Sequence, residues 1–346
     1  MELKDLESAI AKFDKFDLRT TIEQTYKQFK KAIKEAGDAK THRSDYDSLV
    51  LCGMGGSAMP GYLLDLIDNL DIPVFIHRNY GVKKKLTQNP LFIVSSFSGN
   101  TEETLKAYEE AKKSSYDLIC FSNGGKLMEK CQKDNFQSIF YNVLQENFQP
   151  RFALPLAFAC MFQVLENSGI IKDDENSLIK TAEFLKNLDQ KEIQKHCFGI
   201  ALEIKNTTAI FYCPYHFRYL AMINKIKINE NSKLPAFWNF YPELNHNEMN
   251  GFENGQPGNF KLVSFQDNDY GAFDEQKNLK RAQITNNLLT KFKYNVIVQE
   301  IEGKNQLEKI FYTLHLGDWI SYYLAILNNQ DPTPVNLVEA FKKELK

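Results

Sequence analysis

Two segments rich in glycine and hydroxyl residues each follow an apolar run that is typical of a buried strand. Ser48–Cys52 leads into Gly53-Met54-Gly55-Gly56-Ser57, and the run that ends at Ser96 leads into Phe97-Ser98-Gly99-Asn100-Thr101. Glycines at a strand-to-helix turn let backbone N–H groups approach an anion, and a helix N-terminus adds partial positive charge. Because open α/β sheets bind ligands at the carboxyl ends of their strands, the two segments together indicate an anion site.

Each segment also has an ordinary structural explanation. Glycines can merely tighten a strand-to-helix connection, and Asn100 or Thr101 can serve as a helix cap. One cap needs only one such residue, whereas Ser96, Ser98 and Thr101 concentrate hydroxyl groups at the same strand end. Uncharged donors of this kind suit a phosphate that is held by hydrogen bonds. The pair of segments is therefore more informative than either segment alone.

The elements that would position these segments alternate between strand-like and helical patterns in both halves of the chain. This alternation favours parallel sheets with helical crossovers. We predict an α/β fold of two Rossmann-like, doubly wound domains, residues 1–165 and 166–346, with mainly parallel sheets and a short C-terminal helix. Strands are expected at residues 48–53, 74–78, 92–96, 118–122, 138–143, 207–213, 235–239, 261–266 and 294–300. Helices are expected at residues 59–67, 102–114, 152–167, 216–229, 274–292, 306–327 and 335–346.

The composition argues against several functional classes. The 346 residues include 42 Lys and Arg against 44 Asp and Glu, and a net charge of -2 provides no long-range attraction for nucleic acid or an anionic membrane. Residues 1–16 lack the pattern of a secretory signal, and no run approaches the ~18 apolar residues of a membrane span. The cysteines and histidines have no metal-ligand spacing, so we predict neither a metal nor a cofactor. We expect a cytoplasmic protein.

The two segments together, Gly53–Ser57 and Ser96–Thr101, resemble the loops of the sugar isomerase (SIS) domain family. The resemblance implies SIS-type domains in which the hydroxyl residues bind the phosphate of a sugar phosphate and two glycines give backbone access. The implied phosphate-binding residues are Gly55, Gly56, Ser57, Ser96, Ser98 and Thr101. After the first strand of the second half, Tyr215 and His216 replace such a loop, so one site per chain is expected, between the domains. We interpret His216 as structural.

Three further residues could perform an aldose–ketose isomerisation. That reaction moves a proton between neighbouring carbons through an enediolate, and it needs a carboxylate base, an acid for ring opening and a cation near the developing negative charge. Glu230 ends a predicted helix, His246 follows a predicted strand, and Arg151 lies at the end of the first predicted domain. Taken singly, Glu230 and His246 would be solvated surface residues, and Arg151 would form a salt bridge.

Two motifs give these residues a specific context. Residues 229–233, Asn-Glu-Asn-Ser-Lys, and 242–248, Pro-Glu-Leu-Asn-His-Asn-Glu, closely resemble the bifunctional phosphoglucose/phosphomannose isomerases, a branch of the phosphoglucose isomerase superfamily. The resemblance spans the whole chain. It implies a metal-independent enzyme of glycolysis and gluconeogenesis that interconverts glucose 6-phosphate and mannose 6-phosphate with fructose 6-phosphate through a cis-enediolate.

The same resemblance implies roles for individual residues. Glu230 moves the proton between C1 and C2, Arg151 stabilises the enediolate, and His246 assists ring opening from the neighbouring subunit of a homodimer. A C-terminal lysine also takes part, for which Lys342 is the best match and the adjacent Lys343 the alternative. Thr333 is a candidate for the small hydroxyl residue that the family associates with dual specificity.

Several alternatives remain open at this point. Spacing alone does not exclude Glu243 or Glu248 as the base. A sugar-phosphate sensor would need only the two hydroxyl-rich segments, but such sensors usually carry a DNA-binding module, and no basic helix-turn-helix pattern is evident. An isomerase or epimerase for an amino sugar phosphate would lack the Glu230 and His246 motifs. Both rival functions explain fewer residues than the bifunctional isomerase does.

Overall fold

Nine strands form two parallel sheets in the computed structural model, which describes residues 3–82, 87–143, 148–173, 175–269 and 273–345. All nine correspond to strands predicted from the sequence. The residues are divided between a first unit, Thr25–Lys186, and a second unit that combines Met1–Gln24 with Asn187–Lys346. No helix among the described residues combines the length and the apolar character that crossing a membrane requires.

The sheet of the first unit has five strands in the order β2-β1-β3-β4-β5, and every neighbouring pair is parallel. The chain first adds a strand on one side of β1 and then continues on the other side, as in doubly wound folds. The central strand β3 is buried along its whole length, which explains its continuous apolar run. The strands are β1 (Ser48–Cys52), β2 (Val74–His77), β3 (Pro90–Ser96), β4 (Asp117–Ser122) and β5 (Gln137–Phe140).

The sheet of the second unit repeats this arrangement with four parallel strands in the order β7-β6-β8-β9. The strand order again reverses beside the first strand, between β6 and β8. The strands are β6 (Thr208–Pro214), β7 (Ala236–Tyr241), β8 (Phe260–Gln266) and β9 (Asn295–Glu300). Two doubly wound α/β units with parallel sheets confirm the predicted fold class.

Helices connect and flank these strands. In the first unit they are α3 (Thr25–Ala36), α4 (Met59–Leu64), α5 (Glu102–Lys113), α6 (Gly125–Lys133), α7 (Leu154–Asn167) and α8 (Ser177–Asn187). In the second unit they are α1 (Leu3–Phe13), α2 (Leu18–Glu23), α9 (Gln190–Ile204), α10 (Arg218–Lys227), α11 (Phe273–Lys291), α12 (Gln306–Leu327) and α13 (Asn336–Glu344). Lys346, the last residue of the predicted C-terminal helix, lies outside the described residues.

The boundaries of the two units differ from the predicted domain boundary after residue 165. That boundary stays a prediction. The first unit extends to Lys186, the last residue but one of α8, whereas α1 and α2 belong to the second unit. The cause is α12, a helix that is buried on almost every side and must be covered by other elements. The N-terminal helices help to cover it: Tyr322 donates a hydrogen bond of 3.0 Å to Asp14.

Candidate active site

The two hydroxyl-rich loops of the first unit lie at the carboxyl ends of neighbouring strands β1 and β3 and are bonded to each other. The backbone N–H of Phe97 donates a 2.9 Å hydrogen bond to Oγ of Ser57. Ser57 is almost buried, with 9% of its surface exposed, while Gly55 has a left-handed φ of 52° that favours glycine. The predicted meeting of the loops at one sheet edge is therefore what the structure contains.

The hydroxyl groups of the second loop form hydrogen bonds within the loop. Thr101 occupies the N-cap position of α5, but its hydroxyl lies 3.0 Å from Oγ of Ser96 rather than capping the helix. Oγ of Ser98 accepts a 3.3 Å hydrogen bond from the N–H of Asn100, and Ser98 itself is exposed. The hydroxyl of Thr101 therefore bonds within the second loop and does not cap α5.

Gly99 fixes the second loop against the turn that follows β4. Its φ is 67°, and a Cβ added there would lie only 1.8 Å from the carbonyl oxygen of Gly124. The hydroxyl of Ser122 donates a 2.6 Å hydrogen bond to the carbonyl oxygen of Ser96. The second loop is therefore held both by its close contact with the turn after β4 and by the hydrogen bond from Ser122.

Arg151 lies in the same unit, and its backbone packs against the first loop. A Cβ added at Gly56 would lie 2.8 Å from the backbone nitrogen of Arg151, so only glycine allows this approach. The side chain of Arg151 is buried, with its guanidinium carbon 4.3 Å from the ring centre of Phe152. The first unit consequently contains all the predicted phosphate-binding residues, and the backbone of Arg151 contacts the first of the two loops.

Glu230 lies in the second unit on a π-helical turn, Ile228–Ser232, that directly continues α10. Such turns are rare and occur frequently at functional sites. The turn ends at Lys233, which has a left-handed φ of 59° and donates a 2.9 Å hydrogen bond from Nζ to the carbonyl oxygen of Glu230. The half-buried side chain of Glu230 thus projects from a backbone that the π turn and the Lys233 hydrogen bond hold in place. The sequence predicted a helix end here but not the π turn.

His246 is exposed at the end of a short 3-10 helix, Glu243–His246, that follows β7. The segment is anchored by the buried side chain of Leu244 and by a 2.7 Å hydrogen bond from Asn245 to Thr285. The structure therefore places His246 on an anchored segment with its side chain open to solvent.

The two alternative carboxylates in this motif have different surroundings. Glu243 is exposed and accepts a hydrogen bond from Asn247. Glu248 accepts 2.6 Å hydrogen bonds on both carboxylate oxygens, from the hydroxyl of Tyr212 on β6 and from the amide of Asn239 on β7. Burial first, and then the negative charge of Glu248, raise the pKa of Tyr212. Glu248 is thus tied to the sheet two residues after His246.

The remaining predicted residues lie near the C-terminus. Lys342 is exposed on α13 and forms a 2.7 Å ion pair with Glu339, and the adjacent Lys343 is exposed as well. Thr333 is buried, and its backbone N–H donates a 3.0 Å hydrogen bond to Asp331. The lysine assignment and the role of Thr333 therefore stay predictions.

A cluster of buried ionisable side chains occupies the corresponding strand ends of the second unit. His216 follows β6 and Asp267 follows β8, and their side chains approach to 3.6 Å. The other oxygen of Asp267 lies 2.7 Å from Nζ of Lys309. Burial alone would raise the pKa of Asp267, but His216 and Lys309 outweigh it and hold that pKa below its usual value. Ionisable side chains thus occupy the strand ends that correspond to the glycine- and serine-containing loops of the first unit.

Metal-ligating residue types show no comparable clustering. Within the described ranges, no group of three His, Cys, Asp or Glu side chains is arranged to hold a metal ion. The six cysteines are free and buried, and burial raises the pKa of the Cys52 thiol to about 12.

Comparisons with known proteins agree with this architecture. Residues 194–345 match the sequence family described as Bacterial phospho-glucose isomerase C-terminal SIS domain. Among solved structures, a hypothetical protein from Thermus thermophilus superposes with a TM-score of 0.74 at 15% identity, covering 99% of this chain and 93% of that chain. At this identity the superposition supports the fold alone.

Two curated relatives are similar over nearly their whole length. A bifunctional phosphoglucose/phosphomannose isomerase from Caldicellulosiruptor bescii is 34% identical over 315 residues, which cover 87% of this chain and 90% of the relative. The protein of that name from Aquifex aeolicus is 32% identical over 331 residues, which cover 94% and 97%. With this identity and coverage, the chain belongs to the family of bifunctional phosphoglucose/phosphomannose isomerases.

Proposed function

We propose that this protein is an aldose–ketose isomerase that interconverts glucose 6-phosphate and mannose 6-phosphate with fructose 6-phosphate. The observation that carries the proposal is the joining of the two hydroxyl-rich loops by the Phe97–Ser57 hydrogen bond, with Arg151 packed against the first loop. Hydroxyl and backbone donors, with an arginine on the segment that packs against the first loop, are suited to a sugar phosphate. Family membership supplies the reaction type.

In the proposed mechanism, Glu230 removes the proton from C2 of the ring-opened aldose phosphate and returns it to C1, while a proton moves between the two oxygens. The intermediate is a cis-enediolate, whose negative charge Arg151 stabilises. The motif at residues 229–233 assigns the base to Glu230, and the hydrogen bonds that both oxygens of Glu248 accept from the sheet support a structural role for Glu248. His246 assists ring opening, and the reaction needs no metal. We further propose a cytoplasmic homodimer in which Lys342 contributes to the site.

The reaction can be followed by NMR with chelator-treated protein and fructose 6-phosphate in heavy water. We expect both aldose phosphates to form, with deuterium at C2. Glu230→Gln should stop proton transfer and leave fructose 6-phosphate binding intact, since the phosphate loops are unchanged. Glu203→Gln, which alters an exposed carboxylate on α9, is the matched control. Binding without turnover by the unaltered chain would favour the sensor instead.

The contribution of His246 across a subunit interface can be tested by mixing two inactive variants. If His246 acts on the neighbouring subunit, a hybrid of Glu230→Gln and His246→Ala subunits contains one site with both changes and one site with neither. Mixing should then restore activity. If His246 acts within its own chain, every site carries one change and the mixture stays inactive.

A further inference from the structure

Helix α12 contacts the chain on both sides of Glu230. Its residues Leu314, Gly317, Asp318 and Ser321 recur at helical spacing, so they share one face of the helix. We propose that Asp318 and Ser321 are positioning residues that set the location of the Glu230 carboxylate. This inference rests on the proposed role of Glu230 as the base, and it adds residues that the sequence motifs did not indicate.

The two helices approach most closely at Gly317. A Cβ added there would lie 1.5 Å from Oδ1 of Asn224 on α10, so no larger residue fits without moving that side chain. The amide of Asn224 is in turn fixed by a 2.8 Å hydrogen bond to the carbonyl oxygen of Leu220. The crossing sets the distance between α12 and the start of the π turn.

On the N-terminal side of Glu230, the last residue of α10 forms an ion pair with α12. Nζ of Lys227 lies 2.9 Å from Asp318, and the two side chains are only 5% and 20% exposed. The same ammonium group donates a hydrogen bond to the carbonyl oxygen of Leu314. Burial lowers the pKa of Lys227, and Asp318 partly offsets that effect by favouring the charged form. A buried pair with this geometry fixes the last turn of α10 three residues before Glu230.

On the C-terminal side, Ser321 makes two contacts with the π turn. Its Oγ accepts a 2.9 Å hydrogen bond from the amide of Asn231, and its carbonyl oxygen accepts a 2.7 Å hydrogen bond from the hydroxyl of Ser232. The hydroxyl of Ser321 also donates a 3.0 Å hydrogen bond to the carbonyl oxygen of Asp318, so the two proposed positioning residues are directly connected. Asn231, Ser232 and Ser321 are fully or almost fully buried.

These contacts confine Glu230 from both directions along the chain. A π turn has a less regular hydrogen-bond pattern than an α-helix, so its position depends on external contacts. Proton transfer from carbon is sensitive to geometry, and a displacement of about 1 Å can cost about 100-fold in rate. The contacts from α12 therefore matter for catalysis beyond their contribution to folding.

The test compares Ser321→Ala with a matched control on the same helix. Thr313→Val also removes a fully buried hydroxyl, one that bonds to the carbonyl oxygen of Lys309 and not to the π turn. With fructose 6-phosphate, Ser321→Ala should lower kcat by about 10- to 100-fold while KM changes by less than about twofold. Thr313→Val should keep kcat within about twofold, and Ser321→Thr, which retains the hydroxyl, should recover most of the rate.

Hydrogen–deuterium exchange supplies a readout that is independent of turnover. Residues 228–232 should exchange faster in Ser321→Ala than in Thr313→Val, at equal urea midpoints. An active parent chain whose Ser321→Ala variant matches the control in kcat would overturn the positioning role alone. A parent chain that binds fructose 6-phosphate without converting it would instead overturn the proposed function, and the catalytic meaning of Ser321 with it.

Discussion

The N–H of Phe97 donates a 2.9 Å hydrogen bond to Oγ of Ser57, and this contact turns two separate strand-end loops into one site. Because the serine oxygen accepts from the backbone, its own proton remains available for a ligand. The ring of Phe97 stacks on Tyr141 and Phe148, with centroid distances of 6.2 Å and 6.3 Å. The loop is thereby anchored through both its backbone and its side chain.

Ser57→Ala should weaken substrate binding more than it slows chemistry. The variant removes the proposed hydroxyl donor to the phosphate and an acceptor for Phe97, and a hydrogen bond to a charged group contributes about 1.5–3 kcal/mol. KM for fructose 6-phosphate should rise about 10- to 100-fold, with a smaller effect on kcat, in initial-rate measurements. Ser168→Ala is the control, since that hydroxyl bonds to Val164 at the end of α7. An unchanged KM would show that Ser57 is not a phosphate ligand.

Gly99→Ala should destabilise the first unit. The backbone at Gly99 has a φ of 67°, and the added Cβ would lie 1.8 Å from a backbone oxygen of Gly124. Left-handed strain alone costs about 1–2 kcal/mol, and the overlap adds to it. The urea unfolding midpoint should fall, and the loss in unfolding free energy should exceed about 2 kcal/mol.

Gly199→Ala gives the opposite expectation and serves as the control for Gly99→Ala. Gly199 lies inside α9, and a Cβ added there would meet no described heavy atom within 4 Å. An alanine in a helix interior is more stable than glycine by about 0.5–1 kcal/mol. A stabilised Gly99→Ala, or equal effects of the two substitutions, would contradict the role assigned to the close approach at Gly99.

The loops could be predicted from the sequence because their information is local. A buried strand, a glycine turn and a cluster of hydroxyl residues follow one another within ten or so positions, and the nine strands were found from the same kind of pattern. The sequence alone also allowed Thr101 to be a helix cap. Only the 3.0 Å contact with Ser96 shows that its hydroxyl belongs to the loop.

The contacts of α12 could not be predicted, because they join residues far apart in the chain. Ser321 contacts Asn231 across 90 positions, and Lys227 meets Asp318 through a buried ion pair. A long helix that is buried on almost every side shows little hydrophobic periodicity, so its sequence does not indicate which element packs against which face. For the same reason, the sequence did not indicate that α1 and α2 belong with α12 rather than with the first sheet.

The structural role of Glu248 can be tested by comparing the stabilities of two substitutions at position 248. Glu248→Ala leaves the buried hydroxyl of Tyr212 and the amide of Asn239 without their acceptor, and each such loss costs about 1–3 kcal/mol. Glu248→Gln should be milder, because the Tyr212 hydroxyl can rotate to accept from the new amide. Urea unfolding should therefore rank the parent chain above Glu248→Gln and Glu248→Ala below both.

The kinetics of the same variants test which carboxylate is the base. Glu248→Gln should retain most of kcat, whereas Glu230→Gln should lose it, since an amide cannot accept the proton. Glu253→Gln, an exposed change in the same loop, is the control. If Glu248→Gln abolished C2 deuteration while its unfolding free energy stayed near that of the parent chain, the base would be Glu248.

His315 on α12 should make the second unit sensitive to mild acid. Burial, and then the positive charge of Lys227, lower the pKa of His315 from 6.5 to about 3. In the folded chain the ring is neutral and accepts a 3.1 Å hydrogen bond from Nε1 of Trp319. The unfolded chain takes up a proton near pH 6.5, so stability is lost as the pH falls below that value, by up to about 1.4 kcal/mol per pH unit.

The measurement is the free energy of unfolding by urea at pH values of about 7, 6 and 5, for the parent chain and for His315→Gln. Glutamine can still accept from Trp319 but does not titrate, so its stability should fall less between these values. His42→Gln, which replaces an exposed histidine outside α12, is the matched control. Identical slopes for the parent chain and His315→Gln would mean that His315 is protonated in the folded state as readily as in the unfolded one.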